Sequence, residues 1–416
     1  MGFPIGITYN ERPSYDADTD GILGANVKRR RRTLLAILAL FVCLRSGAAE
    51  TSLADSGKTA TPEPPFSIMR DAIQEALHLR FSQAHDTVSQ AESDGRETLE
   101  TRLTRGIIAY LQTHWQTRQR PPAHATARKL FTQMLQDGQR QLAASPRQGR
   151  LQLLVGLAAV FNALLPQQEA PWAPLQLAAQ GRSRLEKALL SDEAMGDAHL
   201  GLGMLYFVGD SVPSLVQRLL GGTGLQGSED AIHHFRRAAA TGRFSPDLAR
   251  SFLLQLYVME KRYREAIPLG QSLHQAYPDN GYFSLLTGRS QFEHGDKAQA
   301  AATLGALAAT LSERPETLVD TDNRFDLYYT WGRSLLDTDQ HDLAFEAFRG
   351  AINNDPRAAR DETLWAKFHL AALYEQRGAT KTARQLYCTL LRERDVDNLH
   401  SQAEYRLSRL GARGCG

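Results

Sequence analysis

Tyr328-Tyr329-Thr330-Trp331-Gly332-Arg333-Ser334-Leu335, followed by Ala344, Phe348 and Ala351 and closed by Pro356, is the stretch on which the fold turns. Tyr328, Trp331 and Leu335 recur at spacings of three and four, which places them on one stripe of a helix. Gly332 lies in that stripe, where a missing side chain lets a second helix approach closely. Ala344, Phe348 and Ala351 repeat the spacing on that second helix, and Pro356 ends it because its ring cannot continue a helix. A helix pair of this kind cannot bury both of its sides alone, so it requires similar neighbours.

Such neighbours are present on both sides. The following unit carries Leu370, Ala371, Tyr374, Gly378, Ala383, Tyr387 and Leu390; the two preceding carry Leu253, Tyr257, Ala266 and Pro278, then Gly288, Ala300, Leu304 and Leu307. This arrangement resembles the tetratricopeptide repeat (TPR), whose period is about 34 residues, with small residues at the helix contact, large ones around them and a closing Pro. Upstream the pattern loosens: Gly181, Leu185 and Ala188 suggest one second helix, Phe131 another, and Ala84, Val88 and Ala91 a third. From Phe66 onward almost no period-two alternation occurs, so strands are not expected. The resemblance implies an all-α, right-handed superhelix of antiparallel helix pairs, a TPR-type α-solenoid with an irregular N-terminal half.

One stretch breaks the period. Residues 208–228 form an insertion containing Pro213, the apolar Leu215, Val216, Leu219 and Leu220, and a Gly cluster. Over roughly Gly196 to Leu304 the chain resembles a broad group of exported bacterial TPR proteins, which implies fold and export and supplies no functional residues. The expected organisation is an N-terminal extension with signal over 1–48, a linker over 49–65, a divergent helical region over 66–195, a helix pair with the insertion over 196–246, repeats over 247–398, and a cap helix and tail over 399–416.

The export reading rests on Lys28-Arg29-Arg30-Arg31-Arg32, the apolar run Leu34 to Leu44, and Ser46-Gly47-Ala48-Ala49. Basic, apolar and small segments in that order describe a cleaved secretory signal. The apolar run is shorter than the ~20 residues needed to span a bilayer, so a periplasmic protein is expected, with an uncleaved inner-membrane anchor as the alternative. Met1 to Asn26 matches no targeting pattern, which suggests a start at Val27. Formal net charge is +2. The first 48 residues hold seven basic and four acidic residues and contribute +3, leaving −1 for the rest. No basic surplus advertises nucleic-acid binding.

Three strings imitate chemistry. Gly222-Thr223-Gly224-Leu225-Gln226-Gly227 fits a dinucleotide fingerprint but lacks the strand that must precede it. Gly209-Asp210-Ser211-Val212 with Asp397 and His400 imitates a serine-hydrolase set, yet Ser211 follows a repeat helix and His400 opens the cap many repeats away. His233 and His234 are adjacent on one helix and point about 100° apart, unsuited to joint metal ligation. No enzyme, cofactor or metal is therefore expected.

What remains is a surface. The first helices of stacked pairs line a concave side where peptides or helices dock. Counted from the signature positions, the groove residues are Tyr282, Leu285, Arg289 and Phe292, then Asp326, Tyr329, Arg333 and Leu336, then Trp365 and Phe368. Arg289 and Arg333 are expected to meet an acidic ligand without touching the core. The favoured function is a periplasmic scaffold binding a protein or peptide partner in the cell envelope. The alternative is a small-molecule or lipid carrier, or enzyme accessory, with 208–228 as its lid; a Ser211 hydrolase stands third. Cys43 leaves with the signal, so Cys388 and Cys415 form a possible disulfide that would pin the cap.

Overall fold

The computed structural model describes residues 64–92, 97–115, 120–165, 173–191, 195–209, 227–318, 320–355, 360–411 and 415. The signal segment, nearly all of the linker, Pro356 and residues 210–226 of the insertion, including Ser211 and the first five residues of the glycine string, lie outside the described residues.

Described helices come in pairs. They are α1 (Pro64–Leu77) with α2 (Phe81–Ala91), α3 (Leu99–Trp115) with α4 (Arg120–Ala144), and α5 (Gly149–Leu164) with α6 (Ala173–Ser191). Next come α7 (Ala198–Gly209) with α8 (Gly227–Thr241), α9 (Pro246–Met259) with α10 (Tyr263–Ala276), and α11 (Gly281–His294) with α12 (Lys297–Glu313). A 3₁₀ turn, Pro315–Leu318, precedes α13 (Thr321–Leu336) with α14 (His341–Asn354), then α15 (Asp361–Gln376) with α16 (Thr380–Leu390). The single helix α17 (Leu399–Arg409) caps the array. No strand occurs among the described residues. The expected linker boundary moves: Pro64 and Pro65 open α1, because a first-turn residue has no intrahelical N–H bond to lose.

The turn inside a pair has one recurring form. A residue in the left-handed region stands two positions before the second helix at Leu79, Lys261, Gly295, Asp339 and Gly378. From Lys261 to Gly295 the separation is 295 − 261 = 34 residues, the repeat period. From Gly295 to Asp339 it is 339 − 295 = 44, and the 3₁₀ turn lies in the longer link. Leu79 marks α1–α2 as a genuine pair although nothing in its sequence resembles Gly.

Within pairs, small residues on the first helix face large ones on the second. A methyl group built on Gly106, Gly156, Gly203, Gly288 or Gly332 would strike Phe131, Leu185, Phe235, Leu304 or Phe348 respectively, at 2.4 to 2.9 Å. In α9–α10 the sizes are exchanged: Gly270 on the second helix faces Leu254 on the first. Interiors are packed to crystal density, so the contact demands complementary volume and either partner can supply the small side.

The N-terminus closes the first part of the array. Helix α1 runs across the turns that join α8 to α9 and α10 to α11, some 200 residues later. Phe66 is fully buried and stacks on Phe244, ring centroids 5.6 Å apart, with the Arg150 and Arg243 guanidiniums over its ring at 5.2 and 5.7 Å. Arg70 donates to the Arg243 carbonyl. At the other end Asn280 Nδ2 donates to the Leu77 carbonyl at 3.0 Å and Arg80 to Asp279 at 2.8 Å. One continuous apolar core therefore extends from Phe66 to Leu286, whereas later units bury three smaller clusters. Helices α11 to α17 extend from the closed part as a C-terminal arm.

Candidate partner-binding face of the C-terminal arm

In the arm the first helices α11, α13 and α15 stand side by side, followed by α17, and their shared face holds an alternating set of rings and charges. At one end Asp326 accepts from Arg289 at 3.0 Å and from Arg360 at 3.2 Å. Arg360 lies 4.6 Å over Phe325, which stacks on Tyr329. Mid-face, the Arg333 guanidinium lies 4.6 Å from the Phe292 ring and 5.9 Å from Tyr329. Next is His369, whose ring stacks on Phe348 at 5.0 Å. Burial, then the positive Arg333 and Arg406, lower the His369 imidazole to about 4, so it is neutral near pH 7. Arg406 on α17 reaches to 3.6 Å from Glu375, which also accepts from Tyr387.

The sequence-derived groove residues divide on this face. Tyr282, Tyr329, Arg333 and Leu336 are half-buried and reach the surface. Leu285, Phe292, Trp365 and Phe368 are buried and present no surface. Neighbouring first helices approach so closely that side chains at these positions fill the seam between pairs. Arg289 is also corrected: its side chain is 11% exposed and committed to Asp326, so charge reversal there would break a partly buried ion pair. Arg333 packs on the buried Phe292 and is not separable from the core. His369 and Arg406 were missed; their positions in the repeat register were the available signal.

Elsewhere, His234 pairs with a residue 35 positions away. Its Nδ1 lies 2.7 Å from His199 Nδ1 on α7, so one ring donates and the other accepts, and Tyr206 stacks on it. Burial leads in lowering both imidazoles, His199 to about 4 and His234 to about 3. His400, proposed with Ser211, points its Nε2 at the Glu393 carbonyl at 3.0 Å and takes its backbone contact from Asp395, not Asp397. Among the described residues no group of three His, Cys, Asp or Glu could hold a metal, and no helix is long and apolar enough to cross a membrane. Buried Asp197 accepts from the backbone N–H groups of Arg243, Phe244 and Ser245 and from the Ser245 hydroxyl, fixing the turn on which α1 rests. Cys388 and Cys415 stand 5.4 Å apart at Cα with their sulfurs in bonding distance.

No family model and no curated protein matches the sequence. Solved structures with similar folds include YrrB, a TPR protein with an unusual peptide-binding site, at 16% identity and TM-score 0.40 over 55% of this chain and 97% of that one. Yeast Tom70 aligns at 12% identity and TM-score 0.36 over 84% and 82%, and the APC/C hetero-tetramer Cut9–Hcn1 at 13% and 0.40 over 80% and 59%. Such scores carry no functional argument. The five left-handed turns and the glycine-to-large-residue contacts decide the architecture.

This chain is a solenoid of the tetratricopeptide type.

Its eight described helix pairs exceed the four well-marked repeats of the sequence, and the loose upstream signals at Phe131, Leu185 and Val88 fall on second helices as expected. The TPR solenoid is therefore continuous through its divergent half.

Proposed function

We propose that this protein is a non-catalytic scaffold that binds a protein or peptide partner on the concave face of its C-terminal arm, in the periplasm. The observation that supports this is the asymmetry between the halves. The N-terminal two-thirds closes on itself through α1, while the arm keeps Tyr329, Arg333 and Leu336 of α13 and Arg406 of the cap helix partly exposed. Aromatic and Arg side chains bury much area at small entropic cost, which makes them the usual anchors of interfaces. The location follows from the basic, apolar and small segments at residues 28–49.

The variants that test the face must spare the core. Thr330 and Ala372 are half-exposed on α13 and α15. Thr330→Arg with Ala372→Arg is expected to remove the stoichiometric partner that co-purifies with the wild-type chain from the envelope fraction, at an unchanged circular dichroism spectrum. A folded variant that retains its partner refutes the assignment of this face.

A further inference from the structure

A second surface lies away from the concave face, where α12, α13 and the start of α14 meet. Its groove, of about 380 Å³, is lined by Ala301, Ala302, Gly305, Trp331, Leu335 and Leu343. The long 44-residue link between the turns at Gly295 and Asp339 sets these two pairs apart. Leu343 is 48% exposed at the groove's edge, one of few large apolar side chains in that state among the described residues. A solvated leucine on a helix that has already buried Ala344, Phe345, Ala347 and Phe348 serves no packing need of its own.

Helix α12 forms the other wall. Between Lys297 and Glu313 it carries no charged residue, and its solvent side presents Ala298, Gln299, Ala302, Ala306 and Ala309. Surface helices ordinarily carry charge on the outer side, as α14 does with Asp342, Glu346 and Arg349. Small side chains there let another backbone approach, and the absence of charge spares a partner the cost of desolvating it. The groove's remaining rim carries Asp337, Asp339 and Asp342, which alternate with the lining residues Thr338, Gln340 and Leu343; Asp337 is paired with Lys297 at 3.7 Å, which leaves Asp339 and Asp342 as its acidic edge. Asp339 and Asp342 have side chains 95% and 93% exposed; Asp339 stands 3.9 Å from His341, and Asp342 meets Arg377 at 2.6 Å.

We propose that this groove is a docking surface for a partner helix whose apolar side chain seats against Trp331 and Leu343 and whose flanking Lys or Arg residues meet Asp339 and Asp342. A second copy of this chain fits less well, because a two-fold pairing of the groove with itself would oppose the same acidic rim. The volume suits one or two large apolar side chains, and the rim chooses a basic sequence around them.

The test uses the full mature chain and two fluorescent 18-residue amphipathic helices as probes, one of Leu and Lys and one of Leu and Glu. The Leu/Lys helix is expected to bind at least tenfold more tightly than the Leu/Glu helix, with Ala302→Glu and Leu343→Glu each weakening it tenfold or more. Both sites are exposed, so both variants fold, which an unchanged melting curve confirms. Asp339→Lys with Asp342→Lys should reverse the preference between probes. Equal binding of the two probes, or affinity unchanged in Ala302→Glu and Leu343→Glu, overturns the proposal. So does loss of the Leu/Lys probe in Thr330→Arg with Ala372→Arg, since the probe would then occupy the concave face. Sedimentation showing a dimer that Leu343→Glu dissociates would also overturn it, in favour of self-association.

Discussion

Phe66→Ala should open the closed part of the solenoid without unfolding the arm. Phe66 is fully buried between Phe244 and two guanidiniums, in a helix whose other anchors are the Asn280 bond to the Leu77 carbonyl and the Arg80–Asp279 pair. Removing a buried phenylalanine ring costs about 3–5 kcal/mol, the surrounding side chains being too fixed to fill the space. Arg150 and Arg243 also lose a ring, worth about 0.5–1 kcal/mol each. The Arg80–Asp279 pair is 45% and 28% exposed and cannot compensate, since exposed pairs contribute about 1 kcal/mol or less. At about 1.4 kcal/mol per decade, a loss of 4 kcal/mol should raise the population in which α1 is undocked roughly a thousandfold. Hydrogen exchange read by mass spectrometry is the assay. Protection should fall in α1 and in the turns at 242–245 and 277–280, and stay at the wild-type level in α13 to α17, whose apolar clusters share no residue with α1. Unchanged protection at 242–245, or an equal loss along the whole chain, would refute the account of how the ends meet.

Three further outcomes are expected. Gly332→Leu should destabilise the arm by about 1–3 kcal/mol or more in urea unfolding, because even a methyl at Gly332 would stand 2.9 Å from Phe348; an unaltered transition would mean that the helix register is wrong. His199, His234 and His369 have imidazoles lowered to about 4, 3 and 4, below the 6.5 of an unfolded chain, so the neutral forms stabilise the fold fully above pH 6.5. That contribution should be lost as pH falls from 6.5 through 4 to 3, seen as a decline in thermal midpoint that His199→Phe with His234→Leu reduces. The mature chain purified under non-reducing conditions should show no free thiol, and Cys415→Ser should destabilise by at most about 3.5 kcal/mol for a closed loop of 27 residues, with protection lost chiefly in α17; two free thiols in denatured protein would contradict the bridge.

Local signals carried most of the fold. Gly332 against Phe348 and Gly288 against Leu304 were readable because volume complementarity and helical spacing are both written in nearby sequence. Leu79 and Lys261 hid the turn between paired helices, since a left-handed backbone position can be forced on residues that do not favour it. The exchange of sizes at Leu254 and Gly270 hid one pair in the same way. Closure by α1 was not legible at all: contacts such as Phe66 with Phe244 depend on how many pairs complete a turn, and periodicity does not encode that. The groove assignment failed in part for the same reason. Register placed Leu285, Phe292, Trp365 and Phe368 on the concave side, but the depth of each side chain depends on the spacing between adjacent first helices, which only the assembled superhelix sets.

The scaffold reading rests on the arm's concave face receiving the co-purifying protein partner. Site-specific photocrosslinking in living cells examines this, with the reactive residue at Thr330, Leu336 or Ala372 on the first helices and at the exposed Lys381 or Gln385 on the second helix α16. One discrete crosslinked protein should be shared by the three concave positions and absent from the two outer ones; no adduct at any concave position, or the same adduct from both faces, would refute the concave-face reading.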